Sequence, residues 1–200
     1  MTRRVSLVPL YQEPRRLVRT ALLFYGALAA LAWLWRTGIR GESLWLADAA
    51  VAIDWRRDPL LGAVTAAGVI AVSALLGRWT EMGRRLEETF SELLGPLRWR
   101  ECLVLGAASG FAEEALFRGA LQPEVGLVIA SLLFAAAHFA PRRDLRVWTV
   151  FAFGAGLLLG ALYDATGNLV APVVAHAGIN AVNLRLLSRR YGAETAPPRA

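Results

Sequence analysis

"ECLVLGAASGFAEEALFRGALQPEVGLVIASLLFAAAHFA", residues 101–140, is two apolar runs separated at Gln122-Pro123. The first approaches the roughly 20 residues a helix needs to cross a bilayer, and the second is somewhat short of that measure. Proline pushes the preceding residue away from helical geometry, so Gln122-Pro123 reads as a turn. Working outward, further apolar stretches occupy about 17–35, 59–77, 145–163 and 168–187, which with 101–121 and 124–140 makes six. Ala140-Pro141 and Thr166-Gly167-Asn168 supply the later turn signals. The expected fold is all-α: a polytopic integral membrane helix bundle of about six transmembrane helices.

Composition agrees. The 200 residues are 56% hydrophobic, above the 45–50% usual for soluble domains, with a mean hydropathy of +0.43. The first run follows a basic segment, as a secretory signal would. It exceeds the 7–15 apolar residues of a signal core and ends in "WLWR" without a small-residue cleavage site, so it reads as a retained helix. The single cysteine, Cys102, allows no internal disulfide and fits a small core residue.

Net charge is +6, and all 22 basic residues are arginine. With the N-terminus placed in the cytoplasm, the cytoplasmic segments hold 17 arginines, from Arg3 and Arg4 through Arg142 and Arg143 to Arg199. The outer segments hold four, Arg36, Arg40, Arg56 and Arg57. This bias follows the positive-inside rule with both termini cytoplasmic. It disfavours nucleic acid as a partner, because the charge is divided among connectors between apolar spans. The partner expected from this pattern is the bilayer, with oligomeric state left open. The plasma membrane of a bacterium is the expected location.

The whole chain, 1–200, reads as one membrane domain. Residues 17–77 form two N-terminal transmembrane helices and 100–187 a four-helix core. Between them, 78–98 carries Trp79, Met82, Leu86, Phe90 and Leu93 at helical spacing, which suits an interfacial helix or a simple connector. Residues 36–58 form a longer outer loop with Trp45 and Trp55 as interfacial anchors, and 190–200 a flexible tail. Gly106/Gly110 and Gly156/Gly160 have the spacing that lets membrane helices pack closely.

Ionisable residues inside a span are costly and mark functional sites. Here they are Glu113, Glu114 and Arg118 on the third run, His138 on the fourth and His176 on the sixth, accompanied by Asn180. The two histidines are the only ones in the chain. Glu114 and Arg118 stand four apart, acid first, as an ion pair would. Glu113 is turned about 100° away and is the freer carboxylate. His176 and Asn180 share a helix face, as do Phe134 and His138. One carboxylate, two imidazoles and an amide suit hydrolysis: a general base for water and donors for an oxyanion. Alternatively Glu113, His138 and His176 bind a zinc ion with an open water position. Other readings are a serine protease using Ser109 with His176, a proton relay or transporter, and a non-catalytic membrane scaffold.

"EEALFR", "FAAAH" and "HAGIN" fit EExxxR, FxxxH and HxxxN, and their order on three spans resembles the CPBP family of intramembrane proteases, which includes CAAX-protein proteases and the bacteriocin-processing Abi proteins. "LLLGALYDATGNLVAPVVAHAGIN", 157–180, is similar to the family's approach to its last motif. The resemblance, over about 100–187, implies an intramembrane endopeptidase acting on membrane-associated or lipidated substrates. It implies Glu113 as the acid/base and His138 as its assistant or a metal ligand. It also implies His176 and Asn180 on the oxyanion side, Glu114 and Arg118 in support, and Phe134 packed beside His138. The family is often labelled metalloprotease, and a metal-free, glutamate-driven mechanism has also been argued for it.

Overall fold

The computed structural model describes residues 14–142 and 145–194, and among them the chain is helix and loop with one isolated antiparallel bridge, Leu46 to Asn168. The helices are α1 (Pro14–Trp33), α2 (Arg57–Trp79), α3 (Glu81–Leu94), α4 (Trp99–Glu114), α5 (Gln122–Ala137), α6 (Arg146–Thr166) and α7 (Val170–Glu194). α1 continues into a π-helical turn, Leu34–Ile39, and α4 into another, Ala115–Leu121. The stretch expected as tail is helical to Glu194. Residues 195–200 lie outside the described residues, as do Arg3, Arg4, Arg143 and Arg199 of the arginine count.

Local chemistry sets several boundaries. Ahead of α2, Asp54 Oδ1 accepts the backbone N–H groups of Arg57 and Arg56, each at 2.9 Å, and these bonds hold its carboxyl below the ordinary value. Thr80 has extended backbone angles and its hydroxyl accepts from Gly83 N at 3.0 Å, starting α3 as an N-cap. Gly167, at φ 68°, ends α6 in the left-handed region.

Five helical stretches are long and apolar enough to cross a membrane, and the third, Trp99–Ala137, is 39 residues long. It is not one rod. Phe117 and Phe134 meet edge to face at 5.0 Å, and Glu113 faces His138, so the chain doubles back between them. The reversal is at Gly126, φ 80° and ψ 165°. This corrects the turn expected at Gln122-Pro123. Proline is tolerated in the first turn of a helix, whereas a positive φ selects glycine. The returning leg, 127–137, is about 16 Å long, half of a roughly 30 Å hydrocarbon core. The fourth apolar run therefore makes a half-length pass, and His138 sits at the helix end rather than inside a span.

Contacts sort the connections into two ends. At one, Leu17, Val18 and Ala21 of α1 pack with Leu97, Cys102, Leu105 and Leu184. Here Ser91 Oγ donates to Leu187 O at 3.1 Å, Arg185 donates to Leu97 O at 2.8 Å, and Phe90 meets the Trp148 ring. α3 thereby docks on α7 through its buried face and leaves Met82 and Leu93 exposed, beside the exposed Trp79 at the end of α2, the arrangement an interfacial helix needs. The start of α1 and the end of α7 share this arginine-rich end.

At the other end the loop between α1 and α2 sits on the α6–α7 turn. Ala47 N donates to Gly167 O at 2.8 Å, Leu169 N to Trp45 O at 3.0 Å, and Asn168 Nδ2 to the buried Asp58 at 2.7 Å. The loop dips inward. Leu44 is buried with Ala115, Ala120 and Leu169, and the Trp45 ring lies 5.6 Å from that of Phe111. Both tryptophans expected as anchors are exposed, Trp55 at 73% and Trp45 at 43%.

α4 and α7 pack closely at the centre. A Cβ on Gly106 would lie 2.7 Å from Ala181 N, and one on Gly110 2.6 Å from Ala177 N. Only glycine permits that approach, which brings Glu113 and Glu114 against His176.

Candidate active site

Adjacent carboxylates on α4 meet different surroundings. Glu114 is fully buried, and its Oε1 takes Arg118 Nη1 at 3.1 Å and His176 Nδ1 at 2.6 Å. Arg118 is also buried. Its Nη2 donates to Gly156 O at 3.0 Å, and its guanidinium carbon lies 4.7 Å from the Phe134 ring centre. Charge, hydrogen bonding and a cation–π contact together satisfy a group that would otherwise be prohibitive in an apolar core. The pair spans the point where α4 widens into its π-helical turn, a feature frequent at functional sites.

Glu113 points elsewhere. Its Oε2 lies 3.6 Å from His138 Nε2 and 4.0 Å from His176 Nε2, and has no hydrogen-bond partner. The tautomers follow from the other ring nitrogens. His138 Nδ1 is 2.8 Å from Phe134 O, an acceptor, and His176 Nδ1 faces the Glu114 carboxylate, so each Nδ1–H donates. In the neutral imidazoles both Nε2 atoms then carry lone pairs. Three acceptors converge on one region, and what completes that region must bring donors or positive charge.

Phe134 fills the space behind them, 4.4 Å from the His138 ring and 5.9 Å from that of His176. The His138 side chain retains 22% exposure against 11% for Glu113, so the site opens on the His138 side. Trp148 of α6 stands there, its ring 6.0 Å from the imidazole. Asn180 lies one turn along α7 from His176 and donates to Ser109 Oγ at 2.8 Å. Ser109 in turn donates to Gly106 O at 3.3 Å, so its hydroxyl serves Asn180 rather than His176.

All seven residues expected from the sequence thus fall in one neighbourhood, with Asn180 joined through Ser109. Sequence reasoning passed over Tyr25, whose hydroxyl interacts with both Glu113 and Ser109. The available signal was a tyrosine in mid-span, away from the interfacial belts where tyrosines usually gather.

Residues 96–182, which hold those seven residues, match the family model described as type II CAAX prenyl endopeptidase Rce1-like. This core is similar to that family, which is the CPBP family. A Bacillus subtilis protein named uncharacterized protein YpbD is 51% identical over 74 residues, 36% of this chain and 38% of that protein. The aligned part therefore spans little more than a third of that relative. No solved structure matches the chain. Five helices long and apolar enough to cross a membrane, with the likeness to this family, mark an integral membrane protein.

The three expected metal ligands, Glu113, His138 and His176, are of the types zinc accepts, and both histidines are tied through Nδ1 as zinc ligands commonly are. Among the described residues, however, no three His, Cys, Asp or Glu groups have the arrangement of a metal site. No step below is routed through an ion.

Proposed function

We propose that the protein is an intramembrane endopeptidase in which Glu113 activates the hydrolytic water. The observation that carries this reading is the convergence of the free Glu113 Oε2 with two imidazole Nε2 lone pairs. Water, with two O–H donors, satisfies such a set. Glu113 takes a proton as the water oxygen bonds to the peptide carbonyl carbon, and His138 accepts the second O–H and fixes the direction of attack. The carbonyl oxygen becomes an oxyanion, for which the Asn180 amide on the α7 side is the nearby donor. Glu113 then passes its proton to the amine nitrogen as the C–N bond breaks. Glu114 and Arg118 hold the tautomer of His176 and the spacing of α4 from α7, while Phe134 seats both rings.

The family match supports a CAAX-type substrate, a peptide with a lipidated cysteine near its C-terminus. The exposed edge of His138 faces the arginine-rich end, and by the positive-inside rule that end is cytoplasmic, with both termini on the same side. The membrane would be a bacterial plasma membrane, in keeping with the Bacillus relative.

The test is cleavage by purified protein of a farnesylated CAAX peptide and an unmodified transmembrane peptide, for wild type, Glu113→Gln and His138→Ala, with and without a chelator. Cleavage lost in Glu113→Gln and unaffected by the chelator supports the reading. Equal cleavage by Glu113→Gln overturns it, and loss on chelation replaces the water-on-glutamate mechanism with a metal one.

A further inference from the structure

α1 lies outside the matched core, yet it reaches the site. Its register against α4 is regular and parallel. Ala21 packs on the Cys102–Leu105 cluster and Ala32 on Ala115 and Ala120. Tyr25, one turn above Ala21, therefore falls at the level of Ser109 and Glu113, which are themselves one turn apart. Residues 22–24, 26 and 27 are exposed, whereas Tyr25 is half-buried, so the phenol turns inward from a lipid-facing stretch. Its hydroxyl interacts with the Glu113 carboxylate and with Ser109, which holds Asn180.

A phenol is both donor and acceptor. Placed beside the Glu113 carboxylate it is the donor, and Ser109, whose own proton goes to Gly106 O, stands next to the phenol. That joins the two halves of the site: the base on one side, and the Ser109–Asn180 amide on the other. Glu113 otherwise has a free Oε2 and two histidines at 3.6 and 4.0 Å, too far to fix its rotamer by hydrogen bonds. We propose that Tyr25 is a positioning residue, contributed by the first helix, that sets the orientation of Glu113 relative to Asn180. This inference rests on the hydrolytic reading for its kinetic consequence, though not for the contact itself.

Two measurements on the full chain in detergent or lipid test it. The first is infrared spectroscopy, in which the wild type minus Glu113→Gln difference isolates the Glu113 carboxyl band. Tyr25→Phe keeps the ring and removes the hydroxyl, so the band shifts if the contact exists. A band at the wild-type position overturns the proposal. The second is cleavage of the farnesylated CAAX peptide. Loss of one hydrogen bond to a charged group predicts that Tyr25→Phe lowers kcat about ten-fold, with KM unchanged and thermal stability near that of wild type. The lipid-facing control Leu23→Ala cleaves normally. A Tyr25→Phe enzyme with wild-type kcat, beside an inactive Glu113→Gln, overturns the positioning role and leaves the protease reading standing. If Glu113→Gln itself cleaves, the protease reading falls, and the infrared band still judges the contact.

Discussion

Glu113 and Glu114 are neighbours in the chain and opposites in their surroundings. Each has a buried Oε2 without a hydrogen-bond partner, but the Oε1 of Glu114 is held by an arginine and an imidazole N–H, whereas the free oxygen of Glu113 faces two ring nitrogens. One helical step of about 100° separates them. On the proposed reading, stability and reactivity fall to adjacent residues, and a polar site can sit in an apolar bundle because the costlier charges, Glu114 and Arg118, neutralise one another.

The largest expected effect is on catalysis alone. Glu113→Gln should lower kcat by about 10²–10⁴, the span of general base catalysis, with unfolding in detergent at the wild-type midpoint. A parallel loss of stability would erase the distinction between the two acids. Asn180→Ala comes next: loss of one oxyanion donor predicts a fall in kcat of about 10²–10³, with little change in KM. An effect confined to KM would move Asn180 from the reacting centre to substrate binding. Glu114→Ala should act mainly on the fold, because it strands a buried Arg118 and costs about 3–5 kcal/mol of stability. A stable, inactive Glu114→Ala would instead make Glu114 a direct participant. The smallest effect is expected far from both acids. Asp58→Ala, which removes the acceptor for Asn168 at the other end of the bundle, should cost about 1–3 kcal/mol and leave kcat near wild type.

The helices and the contents of the site were legible because both are written in local periodicity. Apolar runs near 20 residues gave the spans, and spacings of four put Glu114 with Arg118 and His176 with Asn180. The chain reversal was misplaced because Pro123 is the louder signal, although a proline in a first turn costs nothing and Gly126 makes the bend. Tyr25 and the inward loop at Leu44 and Trp45 were invisible for a different reason. Their meaning depends on which helices become neighbours, and no spacing within α1 or the loop encodes that. The close passage of α4 over α7 lay between these cases: Gly106 and Gly110 stood out, but their partners Ala177 and Ala181 did not.

The inward loop has a consequence for the membrane around it. A carboxylate that must be wetted to work is also a stepping stone for protons, and each charge that crosses releases about 2.3 kcal/mol per 100 mV of membrane potential. Leu44, packed over Ala115 and Ala120, and Trp45, laid on Phe111, place apolar surface between Glu113 and the end opposite the arginines. On the proposed hydrolytic reading the loop is an insulator: an apolar seal on the side away from His138 that keeps hydrolysis inside the bilayer from short-circuiting the gradient that the bilayer stores.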